Sequence, residues 1–278
     1  MTTWQDYSTY RNQQPHTVQG DVRVLAGLES PQLNNRRDLL VCLPPSYKRS
    51  NKRYPVLYMQ DGQNLFDSAT SFAGEWYVDE TMEALSREGL EAIVVGIPNA
   101  GEKRLDEYSP FSQLKIGGGQ GDQYLSFLVE TIKPIIDNTF RTCPERENTA
   151  ILGSSMGGFI SLYGFFRYPQ IFGLVGIMSP AFWFARGAIY TYVENAPFSP
   201  GKIYLDVGTR EHGGRTVMKA HSRRYYASVR RMQRILVKKG YRPRQDLLYV
   251  EEKWAGHEEQ AWARRLPTAI RFLLSSLD

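Results

Sequence analysis

Acyl transfer at an ester carbonyl calls for three side chains acting together: a nucleophile, an imidazole that takes its proton, and a carboxylate that orients the imidazole. The stretch TAILGSSMGGFISLYGFF, residues 149–166, offers the first of these. It reads as a strand, a GSSMG turn and a helix. A serine on such a turn is held out on a bend so tight that its backbone takes a positive φ, and only small residues fit two positions to either side. Gly153 and Gly157 meet that demand around Ser155, whereas the same frame around Ser154 would put Leu152 and Met156 where glycines are needed. A bare GxSxG recurs by chance; here an apolar run precedes it, and Gly158 and an amphipathic helix follow. The turn would lift the hydroxyl to a helix N-terminus, where partial positive charge favours a developing oxyanion, with the Met156 N–H as one donor. A structural Gly-Ser turn is the plainer alternative.

The chain has four histidines from which a base could come. His16 precedes the core of the fold, His221 lies in a basic helical stretch, and His212 adjoins the candidate acid. His257 follows the last strand pattern, LLYVEE, is introduced by Gly256 and leads into the C-terminal helix. That puts it on a loop at the C-terminal edge of the sheet, where open α/β sheets build their sites. In the order nucleophile, acid, histidine, the acid follows the penultimate strand. There IYLDVGTRE offers Glu211, beyond the Gly208 turn and free to reach an imidazole, and Asp206, inside the strand pattern in register with Tyr204. Glu211 is the first choice and Asp206 the alternative; a surface pairing of Glu211 with Arg210 or Arg215 would be the non-catalytic explanation.

The elements that must position these residues alternate in the βαβ rhythm of a mostly parallel sheet covered by helices. Strands are predicted over Thr17–Leu25, Leu39–Leu43, Pro55–Met59, Ala92–Ile97, Thr149–Leu152, Leu174–Met178, Ile203–Val207 and Leu247–Val250. Several are continuous apolar runs, as in strands buried on both faces. Helices are predicted over Val78–Arg87, Tyr124–Asn138, Gly158–Phe166, Val217–Lys239 and Glu258–Leu274. The first two strands follow one another with no helix between them, which predicts an antiparallel hairpin. The expectation is an α/β-hydrolase fold: a mostly parallel central sheet of about eight strands flanked by helices on both faces. Residues 1–278 read as one domain with a short cap-like insertion around 181–200. The Gly-rich run from Gly117 to Gly121 follows no strand and lacks the Lys-Ser/Thr of a phosphate loop, so it reads as a flexible connection.

Composition narrows the class. At 42% apolar and 13% aromatic residues, the chain can fill a sizeable core and carries no disorder signature. Cys42 and Cys143 show neither a CxxC nor a metal-ligand spacing and read as free thiols. The N-terminus has no basic start or apolar stretch and no segment is apolar enough to span a bilayer, so a cytoplasmic protein with no membrane partner is expected. The net charge of +5 is concentrated in residues 215–244, which hold eleven Lys/Arg and no Asp/Glu. Val217, Val229, Met232, Ile235 and Leu236 interrupt those charges at helical spacing, so the stretch reads as the wet face of an amphipathic helix and no nucleic-acid partner is expected.

With these residues in hand, the chain resembles the "Putative esterase" family of α/β hydrolases, which includes esterase D-type, feruloyl and acetyl-xylan esterases, siderophore trilactone esterases and mycolyltransferases. The likeness covers nearly the whole chain through LPPSY (43–47), YPVLYMQDGQNLFD (54–67), GSSMGG (153–158), SPAFWF (179–184), the VGTRE loop and the late Gly-His pair. It implies that Ser155, Glu211 and His257 form a triad, and that the DGQN turn supplies a second oxyanion donor, the N–H of Gln63. Asp61 stands where many relatives carry His, which changes the charge of the pocket. Trp183 and the DGQN turn are similar to those of the siderophore esterases and keep a bulky or lactone substrate open, while Arg104 and Tyr108 are either residues of the entrance or an ordinary polar loop. The segment Ala181–Pro200 is too short for an elaborate lid, which implies an open site. The expected partner is a small-molecule ester, with no cofactor and no metal in the chemistry. Transfer of the acyl group to an alcohol, or a catalytically silent pocket for an acyl ligand, are the competing readings; the identity of the ester and the oligomeric state stay open.

Overall fold

The computed structural model describes residues 3–213 and 216–275. Its centre is a nine-stranded sheet of order β1-β2-β3-β5-β4-β6-β7-β8-β9. The strands are β1 (Trp4–Asp6), β2 (Asp21–Ser30), β3 (Asn35–Leu43), β4 (Val56–Gln60), β5 (Ile93–Ile97), β6 (Thr149–Ser154), β7 (Leu174–Met178), β8 (Lys202–Gly208) and β9 (Leu247–Glu252). From β5 to β9 all neighbours run parallel, whereas β1/β2, β2/β3 and β3/β5 are antiparallel. The expected opening hairpin is β2–β3, closed through Asn34 in a positive-φ conformation (51°), which a short polar side chain tolerates. The ninth strand is β1, three residues on the sheet edge; it is too short to show a period in the sequence.

The parallel strands are apolar on both faces because both are covered. Val56 and Tyr58 of β4 enter one core cluster and Leu57 and Met59 the other, as side chains alternate across a strand. Helical residues 121–139, which include a π-type turn at Phe127–Ile132, and the helices Met156–Arg167, Ala188–Asn195 and Thr216–Lys239 pack into the first cluster. Helices Val78–Ser86 and Glu259–Leu274 supply the second.

The basic stretch is an amphipathic helix. Tyr225, Val229, Met232 and Leu236 are buried, while Arg230 pairs with Glu251 at 2.6 Å and Lys239 donates to the Ala196 carbonyl at 2.5 Å. The side chain of Val217 and the whole of Arg215 lie outside the described residues. Helix Ala188–Asn195, inside the 181–200 segment, turns Ile189, Tyr190 and Val193 into the core, with the Tyr190 hydroxyl donating to the Ser228 carbonyl at 2.9 Å. The Gly-rich run is a tied loop rather than a loose connection. The N–H groups of Gly119 and Gly121 both donate to the Ser109 carbonyl, at 2.7 and 3.0 Å, and that of Gly118 donates to Asp106 at 3.0 Å; such bonds leave no trace in a pattern of residue types. Both cysteines are free thiols. Among the described residues no helix is long and apolar enough to cross a membrane.

Candidate active site

Strand β6 ends at Ser154 and helix Met156–Arg167 begins two residues later, so Ser155 alone makes the bend. Its backbone sits at φ 54°, ψ −119°, a strained conformation for a non-glycine residue. Three backbone bonds hold it: Ser155 N–H donates to the Met178 carbonyl at 2.9 Å, and its own carbonyl accepts from Phe159 at 3.0 Å and Ala181 at 3.1 Å. The flanking glycine is a steric necessity, since a Cβ on Gly153 would lie 2.7 Å from both the Gln60 Cγ and the Gly157 carbonyl carbon. The first N–H groups of the helix, starting with that of Met156, have no acceptor in the preceding turn and present partial positive charge beside Ser155. The Met156 side chain is buried.

Ser155 and His257 line one cleft of ≈ 1020 Å³, together with Asp61, Gln63, Arg104, Glu259 and others. The fold places Glu211 against the imidazole: Glu211 Oε2 is 2.6 Å from His257 Nδ1. With Nδ1 engaged, Nε2 is the ring nitrogen left for other partners. Tyr225 and Trp262 hold the ring edge-on, with centroids 5.4 and 5.0 Å away. The second Glu211 oxygen, Oε1, accepts from the Gly208 N–H at 2.5 Å and the Ser179 hydroxyl at 2.7 Å. Contacts on both oxygens fix the position of the carboxylate.

Asp206, the alternative acid, is turned away. It is fully buried, accepts from the Ser179 N–H at 3.0 Å, and faces Arg265 Nε at 3.0 Å. Burial pushes its carboxyl up to about 6 even though Arg265 pulls it down. Arg265 also reaches Glu252 at 3.1 Å and donates to the Ser179 hydroxyl at 2.9 Å. A chain of contacts therefore runs from Arg265 through Ser179 to Glu211 and His257. Sequence reasoning missed Arg265, although a signal existed: it is a charge in register with Trp262, Leu266, Ala269 and Ile270, the buried face of the last helix.

Removing that charge leaves Asp206 buried without a counter-ion, so Arg265→Met should cost about 3–5 kcal/mol of stability, read by urea unfolding. A pH effect follows as well. An acid with a raised folded-state pKa binds its proton more tightly when folded; that advantage is complete below the unfolded value of about 4 and is lost as pH rises through about 6. The stability of the parent chain relative to Asp206→Asn should therefore fall between about pH 4 and pH 6, measured by unfolding both in urea across that range.

The turn after β4 forms the opposite wall of the cleft. Asp61 takes a left-handed conformation (φ 55°, ψ 47°) and Gly62 packs so closely on the end of β5 that a Cβ would lie 2.5 Å from the Gly96 carbonyl carbon. The Asp61 carboxylate is gripped by Arg104 through two bonds, of 2.7 and 2.8 Å, and by the Asn99 amide at 2.6 Å. Burial disfavours the Arg104 charge, but Asp61 outweighs it and the guanidinium pKa is raised. Asn99 also donates its N–H to the Gln63 side chain at 3.2 Å, so both ends of the turn are strapped to one residue. Arg104 lines the cleft, whereas Tyr108 is fully buried behind it, accepting the Asp61 N–H at 3.1 Å. Glu259 opens the last helix on the cleft wall, where burial raises its carboxyl pKa. Trp183 is half-exposed and does not line the cleft.

Of the other histidines, His16 bonds Ser8 at 2.9 Å, His212 stacks edge-on to Tyr225 at 5.4 Å, and His221 is exposed. None of the three lines the cleft.

A central sheet with helices on both faces, a strand-serine-helix bend and a strapped turn facing it across a cleft define an α/β-hydrolase-type protein. Residues 30–273 match the family described as "Putative esterase", and the chain belongs to that family; it is an esterase-type hydrolase. Over 252 residues it is 25% identical to the uncharacterized protein YbbA of Bacillus subtilis (strain 168), covering 88% of this chain and 95% of that one. It is 27% identical over 184 residues to an endo-1,4-beta-xylanase/feruloyl esterase of Xylanibacter ruminicola, covering 63% of this chain but 23% of the longer protein. Among solved structures, the siderophore hydrolase EstB from Aspergillus nidulans superposes with a TM-score of 0.71 at 17% identity, covering 89% of this chain and 93% of that one.

Proposed function

We propose that the chain is a serine carboxylic-ester hydrolase that works through an acyl-enzyme on Ser155. The observation that carries this is the contact of Glu211 with His257 Nδ1 at 2.6 Å at the rim of a cleft that also holds the strained Ser155. Glu211 keeps the neutral imidazole protonated on Nδ1, so Nε2 has a free lone pair. His257 Nε2 takes the Ser155 proton as the hydroxyl oxygen attacks the ester carbonyl carbon. The carbonyl electrons move to oxygen, and the N–H groups of Met156 and Gln63 bind that oxyanion. Collapse expels the alcohol, which leaves with the proton from His257. Water then repeats the sequence on the acyl-enzyme, releasing the acid and restoring Ser155. The chemistry needs no metal or cofactor, and residues 1–278 act as one α/β unit.

The cleft volume of ≈ 1020 Å³ lies at the upper end of small-molecule sites, which favours an ester with a bulky acyl or alcohol part over acetate esters. Relatives named as feruloyl and siderophore esterases point the same way. Rates on p-nitrophenyl esters of increasing chain length, methyl ferulate and a siderophore trilactone test this. Larger kcat/KM on the bulky esters is expected, and a monotonic preference for acetate would overturn it. Product analysis with a competing alcohol separates hydrolysis from transfer, hydrolysis being expected to dominate.

Gly62 offers a test of the second oxyanion donor. Because a Cβ there meets backbone rather than a flexible side chain, Gly62→Ala must shift the turn that carries the Gln63 N–H. The expected loss is about 10²–10³-fold in kcat with a smaller change in KM, read by steady-state kinetics.

A further inference from the structure

At the start of helix Val78–Ser86, three carboxylates converge, and among the described residues no cation pairs with them. Glu75, Asp79 and Glu80 each offer an oxygen within 4.8 Å of the other two. The N-terminal segment binds one oxygen of each: the Thr17 hydroxyl donates to Glu75 Oε2 at 2.8 Å, the Gln19 N–H to Asp79 Oδ2 at 2.6 Å, and the Gln19 amide to Glu80 Oε1 at 3.3 Å. The remaining oxygens, Glu75 Oε1, Asp79 Oδ1 and Glu80 Oε2, are all buried and accept no hydrogen bond. Glu75 and Asp79 are each only 3% exposed. Among the described residues no Lys, Arg or His forms an ion pair with any of the three. Buried, unpaired acceptors of one sign call for a ligand that supplies positive charge.

We propose that Glu75, Asp79 and Glu80 bind one Ca²⁺ ion, which ties the segment leading into β2 to the start of helix Val78–Ser86. An all-oxygen, all-carboxylate donor set selects hard cations. Three ligands leave room for water in the six to eight positions that Ca²⁺ takes. A cavity of ≈ 460 Å³ lined by Gln19, Asp21, Asp79 and Glu83 gives a path to the site, and the basic residues on its rim are paired, Lys48 with Asp21 at 3.1 Å and Arg87 with Glu83 at 3.6 Å. The site is structural and separate from the ester chemistry. It nonetheless adjoins the cleft wall, since the N–H groups of Trp76 and Val78 donate to the carbonyls of Asn64 and Leu65 at 2.9 and 3.0 Å.

The competing occupant is a proton. Burial and the neighbouring Glu80 push the Asp79 carboxyl up to about 8, so a hydrogen shared between the two could also relieve the repulsion. Calorimetric titration of the chelator-treated full chain with CaCl₂ separates the two. The proposal expects one saturable site, a rise in Tm of about 5 °C at saturation, and a loss of affinity of roughly tenfold or more in both Asp79→Asn and Glu80→Gln. Glu80 is the less buried of the two, so its variant carries the test should Asp79→Asn fail to fold. No Tm shift with Ca²⁺, together with a higher Tm in the amide variants than in the parent, would overturn the proposal in favour of the shared proton. Tighter binding of Mg²⁺ or Mn²⁺ than of Ca²⁺ would overturn the calcium assignment.

Discussion

Ser155→Ala should lower kcat on a p-nitrophenyl ester by about 10⁶-fold while leaving substrate binding and unfolding temperature close to those of the parent chain. In the proposed mechanism the Ser155 oxygen forms the covalent bond: without it, His257 and the oxyanion donors would have only water to activate, and a triad acts as a unit rather than as a sum. The small structural cost follows from the backbone. Ser155 is held at φ 54° by bonds to Met178, Phe159 and Ala181 that involve main-chain atoms only, and alanine keeps them all. A variant that retained a tenth of the parent activity would show that another group does the attacking.

The second large effect belongs to the acid. Glu211→Gln should lower kcat by about 10⁴-fold with little change in KM. Glutamine can still accept from Gly208 and Ser179 through its carbonyl, so the loop need not move. Its NH₂ would then face His257 Nδ1 and demand a lone pair there. The imidazole would shift its proton to Nε2, the atom that in the proposed mechanism receives the proton of Ser155. Asp206→Asn is the control, since Asp206 contacts Arg265 and Ser179 but not His257. That variant should change stability far more than kcat. The reverse pattern in steady-state kinetics would make Asp206 the acid.

What could be read in the sequence was local. Gly153 and Gly157 around Ser155 announce a bend because the steric demand is met by residues two positions away. His257 stands out because the last strand and the last helix meet at it. The parallel strands show as apolar runs because both of their faces are covered. The Gly208 turn made Glu211 the first choice over Asp206, and Glu211 is the one that contacts His257; what keeps Asp206 away was not readable, because it is Arg265, a residue on a helix far along the chain that faces Asp206 and, through Ser179, steadies Glu211. In the same way, the sequence left Tyr108 as either an entrance residue or part of an ordinary polar loop, and only the approach of the Asp61 turn shows it as buried support. The glycines at 117–121 suggested looseness, yet the Ser109 carbonyl and the Asp106 side chain tie them down. Each of these depends on a contact between segments that no spacing rule reports.

The proposed acyl-enzyme requires a reactive hydroxyl at Ser155. The direct test is to label the chain with a fluorophosphonate and map the adduct by peptide mass spectrometry. A single adduct on the peptide holding Ser155 is expected, with its loss in Ser155→Ala and hydrolysis abolished in step with labelling. Ester hydrolysis that persists with Ser155 unlabelled, or with the adduct on another residue, would contradict it.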